Sequence, residues 1–157
     1  MRSLLVILSA VTYVGCDMPR DPESTTLRIR EGVLRAGISE HKPWTRFDDD
    51  QPRGVEVELL EDFARQQQAE IRWVVGAESE LFEALRQGHL DIVIGGLDDS
   101  TPWSKEIAMT RPFITVADKK HVMAIRQGEN RWLLELDRFL QARSAEIRKL
   151  VEAERDE

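Results

Sequence analysis

A single cysteine, Cys16, stands in the whole chain, so no disulfide can form within it. Three histidines, His41, His89 and His121, lie on separate segments without ligand spacing, which argues against a metal centre. Positive charge is in deficit: 22 lysines and arginines face 29 aspartates and glutamates, a formal charge of -7. Phosphate backbones need the opposite surface, so nucleic acid is excluded as a partner. There is no nucleophile elbow, no phosphate-cradling glycine loop and no acid/base pair, and no enzyme activity is expected. The acidic run Asp48-Asp49-Asp50 lacks the alternation of a calcium loop and reads as a solvated loop. Neither metal nor cofactor is expected. Membrane-length apolar runs are missing too. Leu4 to Val14, broken by Ser9, Thr12 and Tyr13, would rise only roughly 16 Å as a helix, about half a hydrocarbon core.

That short run follows Met1-Arg2 and ends in Tyr13-Val14-Gly15-Cys16. A basic start, a brief apolar stretch and a small residue before cysteine resemble the signal peptide and lipobox of bacterial lipoproteins, although Tyr13 stands where leucine is usual. The resemblance implies cleavage before Cys16, diacylglycerol on its sulfur, and a protein lipid-anchored to a membrane in the periplasm or cell envelope. The expected divisions are therefore a signal peptide over 1–15, a polar tether over 16–28, a folded lobe over 29–142 and a C-terminal helix extension over 143–157.

With 41% hydrophobic and 32% charged residues the chain has a globular balance, and its length suits one domain. Short apolar runs alternate with amphipathic stretches. Val33 to Ile38, Ile71 to Val75 and Leu90 to Leu97 read as strands, the last apolar enough for burial on both faces. Gly54 to Gln68 and Ser79 to Gln87 read as helices by their apolar spacing, with Glu56 and Glu58 placed to meet the positive end of a helix dipole. This β-α-β-α-β order predicts a parallel sheet. Ile107 to Thr115 and His121 to Arg126 are further strand candidates. Glu129 to Arg155 reads as one long helix. Its second half is either solvated or docks a partner, or a second copy, through Ile147, Leu150 and Val151.

Four stretches in order, LRAGISEHKPW from Leu34, GVEVELL from Gly54, GHLDIVIGG from Gly88 and TRPF from Thr110, resemble the first lobe of the family 3 bacterial extracellular (periplasmic) solute-binding proteins. The resemblance implies an α/β fold, a single lobe of the periplasmic binding protein-like kind, with a mostly parallel sheet, flanking helices and a long C-terminal helix. It also implies a small-molecule solute as partner and an ABC permease of the amino-acid type. A complete receptor crosses to a second lobe after the TRPF strand. Here only Val116, Ala117 and Asp118 separate Thr115 from Lys119, so the second lobe is absent and two-lobe closure is unavailable.

Ligands of open parallel sheets lie beyond the carboxyl ends of the strands, which places the ligand-binding candidates at Trp44, Gly96, Asp98, Ser100, Thr101 and Trp103. By resemblance, Trp44 packs on the ligand and the Gly95-Gly96 segment offers it backbone groups. Asp98 falls where amino-acid receptors place a hydroxyl, and Trp103 where they place an arginine for the ligand's carboxylate. Ser100 or Thr101 replaces the hydroxyl in part, and nothing replaces the arginine. The expected function is a membrane-anchored solute-binding component of an ABC-type transport system. The alternative is a non-transport regulatory module that keeps the lobe as a scaffold for a protein partner. Cys16→Ser in the full chain, expressed in a bacterium fed labelled palmitate, should abolish both lipid incorporation and membrane fractionation; a labelled variant would remove the anchor from the account.

Overall fold

The computed structural model describes residues 20–155. The signal segment and Cys16 lie outside the described residues. Helix α1, Thr25–Ile29, is set by Asp21, whose two carboxylate oxygens accept from the Thr25 and Thr26 amides at 3.1 and 3.0 Å. Thr25, Thr26 and Ile29 are buried. The polar stretch expected as tether to residue 28 thus gives way to packed structure, because Asp21 starts a helical turn that carries an isoleucine into the core.

Strand β1, Val33–Ile38, is followed by a small hairpin of β2, Arg46–Asp48, and β3, Gln51–Arg53. Its turn residues Asp49 and Asp50 have φ of 50° and 61°, a conformation that aspartate tolerates better than most residues. Helix α2, Val55–Gln66, strand β4, Glu70–Val75, helix α3, Glu78–Arg86, and strand β5, Ile92–Ile94, come next. A 3-10 turn, Pro102–Lys105, leads to β6, Ala108–Met109, β7, Ile114–Val116, β8, Lys119–His121, and β9, Ala124–Ile125. The strand expected over 107–115 is split. Pro112 has no amide hydrogen for a ladder, and the Arg111 amide instead donates to Asp137 at 2.8 Å. Helices α4, Asn130–Ala142, and α5, Ser144–Arg155, close the chain.

The central sheet has the order β4-β1-β5-β9-β6. β1 pairs in parallel with β4 and β5, whereas β9 is antiparallel to both β5 and β6. Four of the five strands therefore share one direction, and the β9 return strand opposes them. Alternation along the strands feeds two cores. Leu34, Ala36, Ile38, Ile92 and Ile94 join the larger one with residues of α2, α4 and α5, while Val93 joins the smaller one with Leu81, Phe82 and Leu85 of α3. At the amino ends of the strands Asp91, 1% exposed at its side chain, accepts from Arg35 at 2.7 Å and from Arg28, and its carbonyl accepts from Trp132 Nε1 at 3.0 Å. Burial opposes ionisation of Asp91, but the hydrogen bonds from Arg35 and Arg28 outweigh it and hold its pKa below the usual carboxylate value.

The single C-terminal helix expected from the sequence is two helices. Arg143, at φ -107° and ψ 12°, breaks it where the apolar stripe met the polar pair Arg143-Ser144. The Arg143 guanidinium donates to Asp62 of α2 at 2.8 Å and lies 4.6 Å from the Phe139 ring centre. This bend turns α5 back onto α2 and β7, and Ile147 and Val151 enter the larger core at 0% and 3% exposure. The residues assigned to a solvated face or to a partner therefore pack on their own lobe. Ile147→Ala should cost about 2–5 kcal/mol and lower Tm by roughly ten degrees in thermal unfolding, with a smaller loss for the half-buried Leu150→Ala. An unchanged Tm in Ile147→Ala would contradict this packing.

Candidate functional site

The mouth is built where β1 and β5 end. After β5 the chain turns through Gly95 and Gly96, at φ 153° and 67°, and the second of these lies in left-handed space. A Cβ on Gly96 would stand 2.5 Å from Trp44 Cδ1, so only glycine fits over that ring. Beneath the turn lies Glu56, from the first turn of α2. Its Oε2 accepts from the Gly95 and Gly96 amides at 2.8 and 2.9 Å. Glu56 is fully buried, and its Oε1 has no hydrogen-bond partner among the described residues. Burial pushes its carboxyl pKa up to about 7, against the two glycine amides, which favour the charged form.

Beyond the glycines a cavity of about 220 Å³ opens, lined by His41, Glu78, Gly96, Asp98, Ser100 and Thr101 among others. Asp98 accepts from the Ser100 amide at 2.9 Å and from the Ser100 hydroxyl, and its other oxygen faces Lys119 Nζ at 3.4 Å. The hydrogen bonds from Ser100 and the nearby Lys119 hold the Asp98 pKa low. Thr101 Oγ1 is buried and unpartnered among the described residues. The β7–β8 hairpin packs beside this loop: the Asp99 amide donates to the Lys120 carbonyl, and just past the hairpin the Val122 amide donates to the Leu97 carbonyl, both at 3.0 Å. A cavity of about 230 Å³ at the amino ends of the strands is lined by Arg28, Arg35 and Asp91, already paired, and by Arg126, bound to Glu23 at 3.0 Å.

Of the six residues singled out in the sequence, Gly96, Asp98, Ser100 and Thr101 line the cavity. Trp44 sits behind it, 3% exposed, with its ring 3.8 Å from the His121 ring centre and edge-on to Phe113. Burial lowers the pKa of His121, against the pull of Asp98. Trp103 is turned away onto Phe82, with ring centres 5.2 Å apart, and does not line the cavity. The amides of Gly95 and Gly96, expected to face a ligand, are taken by Glu56. Sequence reasoning missed Glu56, Glu78, His41 and His121. A signal for the first was present: Glu56 stands three, four and seven residues before Leu59, Leu60 and Phe63, on the buried stripe of α2.

A mostly parallel α/β lobe with a loop-built cavity at the carboxyl ends of its strands belongs among the ligand-binding lobes of the periplasmic binding protein fold. The chain is a member of the bacterial extracellular solute-binding proteins, family 3, whose family model matches residues 34–153. The match includes α5. Membrane-bound lytic murein transglycosylase F of Vibrio cholerae is 33% identical over 102 residues, covering 64% of this chain and 19% of that protein. A probable histidine-binding protein of Campylobacter jejuni is 22% identical over 119 residues, 72% of this chain and 45% of that one. The chain thus spans less than half the length of either relative. The crystal structure of the arginine-bound form of domain 1 from TmArgBP has a TM-score of 0.67 at 20% identity and covers 74% of this chain and 97% of that one, a likeness of fold.

The folded pKa of Glu56 lies above its ordinary 4.5, so the folded state binds this proton more tightly than the unfolded chain does. Its stabilising contribution is full below about pH 4.5 and is lost as the pH rises through about 7. Glu56→Gln, which cannot ionise and keeps an acceptor oxygen, should flatten the fall in urea-unfolding stability between about pH 5 and about pH 8. Parallel pH profiles for the two proteins would rule out a buried neutral Glu56.

Proposed function

We propose that the chain is a solute-binding lobe of the cell envelope, anchored by lipid on Cys16, that takes a small polar ligand in the cavity between Gly96 and Thr101. It serves as the substrate-capturing component of an ABC-type uptake system of the amino-acid kind. The observation that carries this reading is the cavity itself, at the carboxyl ends of β1 and β5 in a chain of the solute-binding family, with the unpartnered Thr101 hydroxyl on its wall. Two similar proteins, one an arginine-bound domain 1 and the other a probable histidine-binding protein, have amino acids as ligands in their names, and the arginine complex is of a first domain alone. This supports binding by one lobe without closure against another.

The identity to the transglycosylase favours a second reading, in which the lobe is a recognition or regulatory module working beside cell-wall machinery or a protein partner rather than a permease. One screen separates them. In thermal unfolding against amino acids, amines, sugars, short peptides and soluble murein fragments, a ligand at 100 times its Kd adds about 2.7 kcal/mol, a rise of several degrees. We expect the rise with an amino-acid-sized solute. A rise with murein fragments alone moves the chain to the second reading, and a folded protein indifferent to every class removes small-solute binding.

A further inference from the structure

The same cavity is rich in acceptors and poor in donors. Its two floor amides, at Gly95 and Gly96, are both spent on Glu56. The Ser100 amide and hydroxyl are both spent on Asp98. What remains on the lining is the exposed Glu78 carboxylate, the His41 ring and the buried, unpartnered Thr101 hydroxyl, while the second Asp98 oxygen is held only by the Lys119 ammonium. No arginine lines the cavity. A carboxylate entering here would find the His41 ring as the one nitrogen-bearing side chain of the lining and would face the Asp98 and Glu78 carboxylates, whereas an ammonium or guanidinium would meet those two carboxylates as partners.

Lys119 supports this from within the chain. Its ammonium sits 3.4 Å from Asp98, yet its side chain is 64% exposed while that of Asp98 is 18% exposed. A solvated lysine in such a pair is weakly held and easily displaced. Its displacement would free the second Asp98 oxygen for an incoming cation.

We infer that the ligand of this mouth is an organic cation without a carboxylate, an amine or guanidine anchored on Asp98 in place of the Lys119 ammonium. The inference rests on the reading of this cavity as the solute site, and it departs from an amino acid as the ligand. Calorimetric titration of the purified protein with matched pairs tests it: agmatine against arginine, and cadaverine against lysine, with glutamate as the anionic control. Each decarboxylated probe should bind at least about tenfold more tightly than its parent. Asp98→Asn should weaken agmatine by about tenfold or more, and Lys119→Ala should strengthen it.

Arginine binding as tightly as agmatine, with Lys119→Ala weakening arginine, would overturn the inference. The mouth would then hold a zwitterion between Asp98 and Lys119, and the solute site itself would stand. A folded protein that binds none of the five probes but does bind a sugar or peptide also overturns the cation while leaving the site. Should Asp98→Asn fail to fold, as judged by circular dichroism, the matched pairs and Lys119→Ala still decide.

Discussion

One buried carboxylate holds the working end of this lobe together. Glu56 leaves the first turn of α2 inward, and a single oxygen takes two consecutive amides at the end of β5. Unsatisfied, those amides would each be costly so deep in the protein. Satisfied from below, they lock the Gly95-Gly96 turn over Trp44 and fix where the following loop begins. Leu97, whose carbonyl accepts from the Val122 amide, and Asp98 follow directly from that turn. The contact with Glu56 also turns the two glycine amides toward the protein and away from the cavity.

The opposite end of the sheet is pinned by a different charge arrangement. Asp91 shares its carboxylate between Arg28 of α1 and Arg35 of β1 and offers its carbonyl to Trp132 of α4. Three elements, two consecutive near the start of the lobe and the third near its end, meet on one residue. β5 is thereby held at both ends by carboxylates, its own at one side and that of α2 at the other. Between them lie only Ile92, Val93 and Ile94, a strand too short to be placed firmly by its ladder alone. The pairing of a fixed base with a fixed rim is what lets loops rather than regular structure carry the site.

Much of the architecture was legible because hydrophobic period reports burial directly. β1, α2, β4, α3 and β5 lie where alternation and helical spacing put them, since each presents one apolar face or two. The failures have physical causes. Glu56 was assigned to the helix dipole because an acid near a helix start has that ready explanation, although its place on the apolar stripe pointed inward. The helix break at Arg143 is only faintly marked, by the polar pair Arg143-Ser144, because Leu140 and Ile147 keep a seven-residue spacing across it; the accompanying reach of Arg143 to Asp62 is a tertiary contact that periodicity does not report. Trp44 and Trp103 were drawn to the mouth by their position in the chain. Size and apolarity sent the first beneath the glycines and the second onto Phe82.

The β7–β8 hairpin carries one more consequence. Val116 and Lys119 are joined through Ala117 and Asp118, both at positive φ, in the tightest reversal two strands allow. Nothing in the sheet order or in either core runs through those two residues. Chain length at such a tip is thermodynamically inexpensive, with each doubling of a loop adding only about 0.6 kcal/mol of closure entropy. Added chain at this tip would leave the strands on either side free to keep their register. The cost of lengthening the chain there would fall on the turn alone and not on the sheet or the cores.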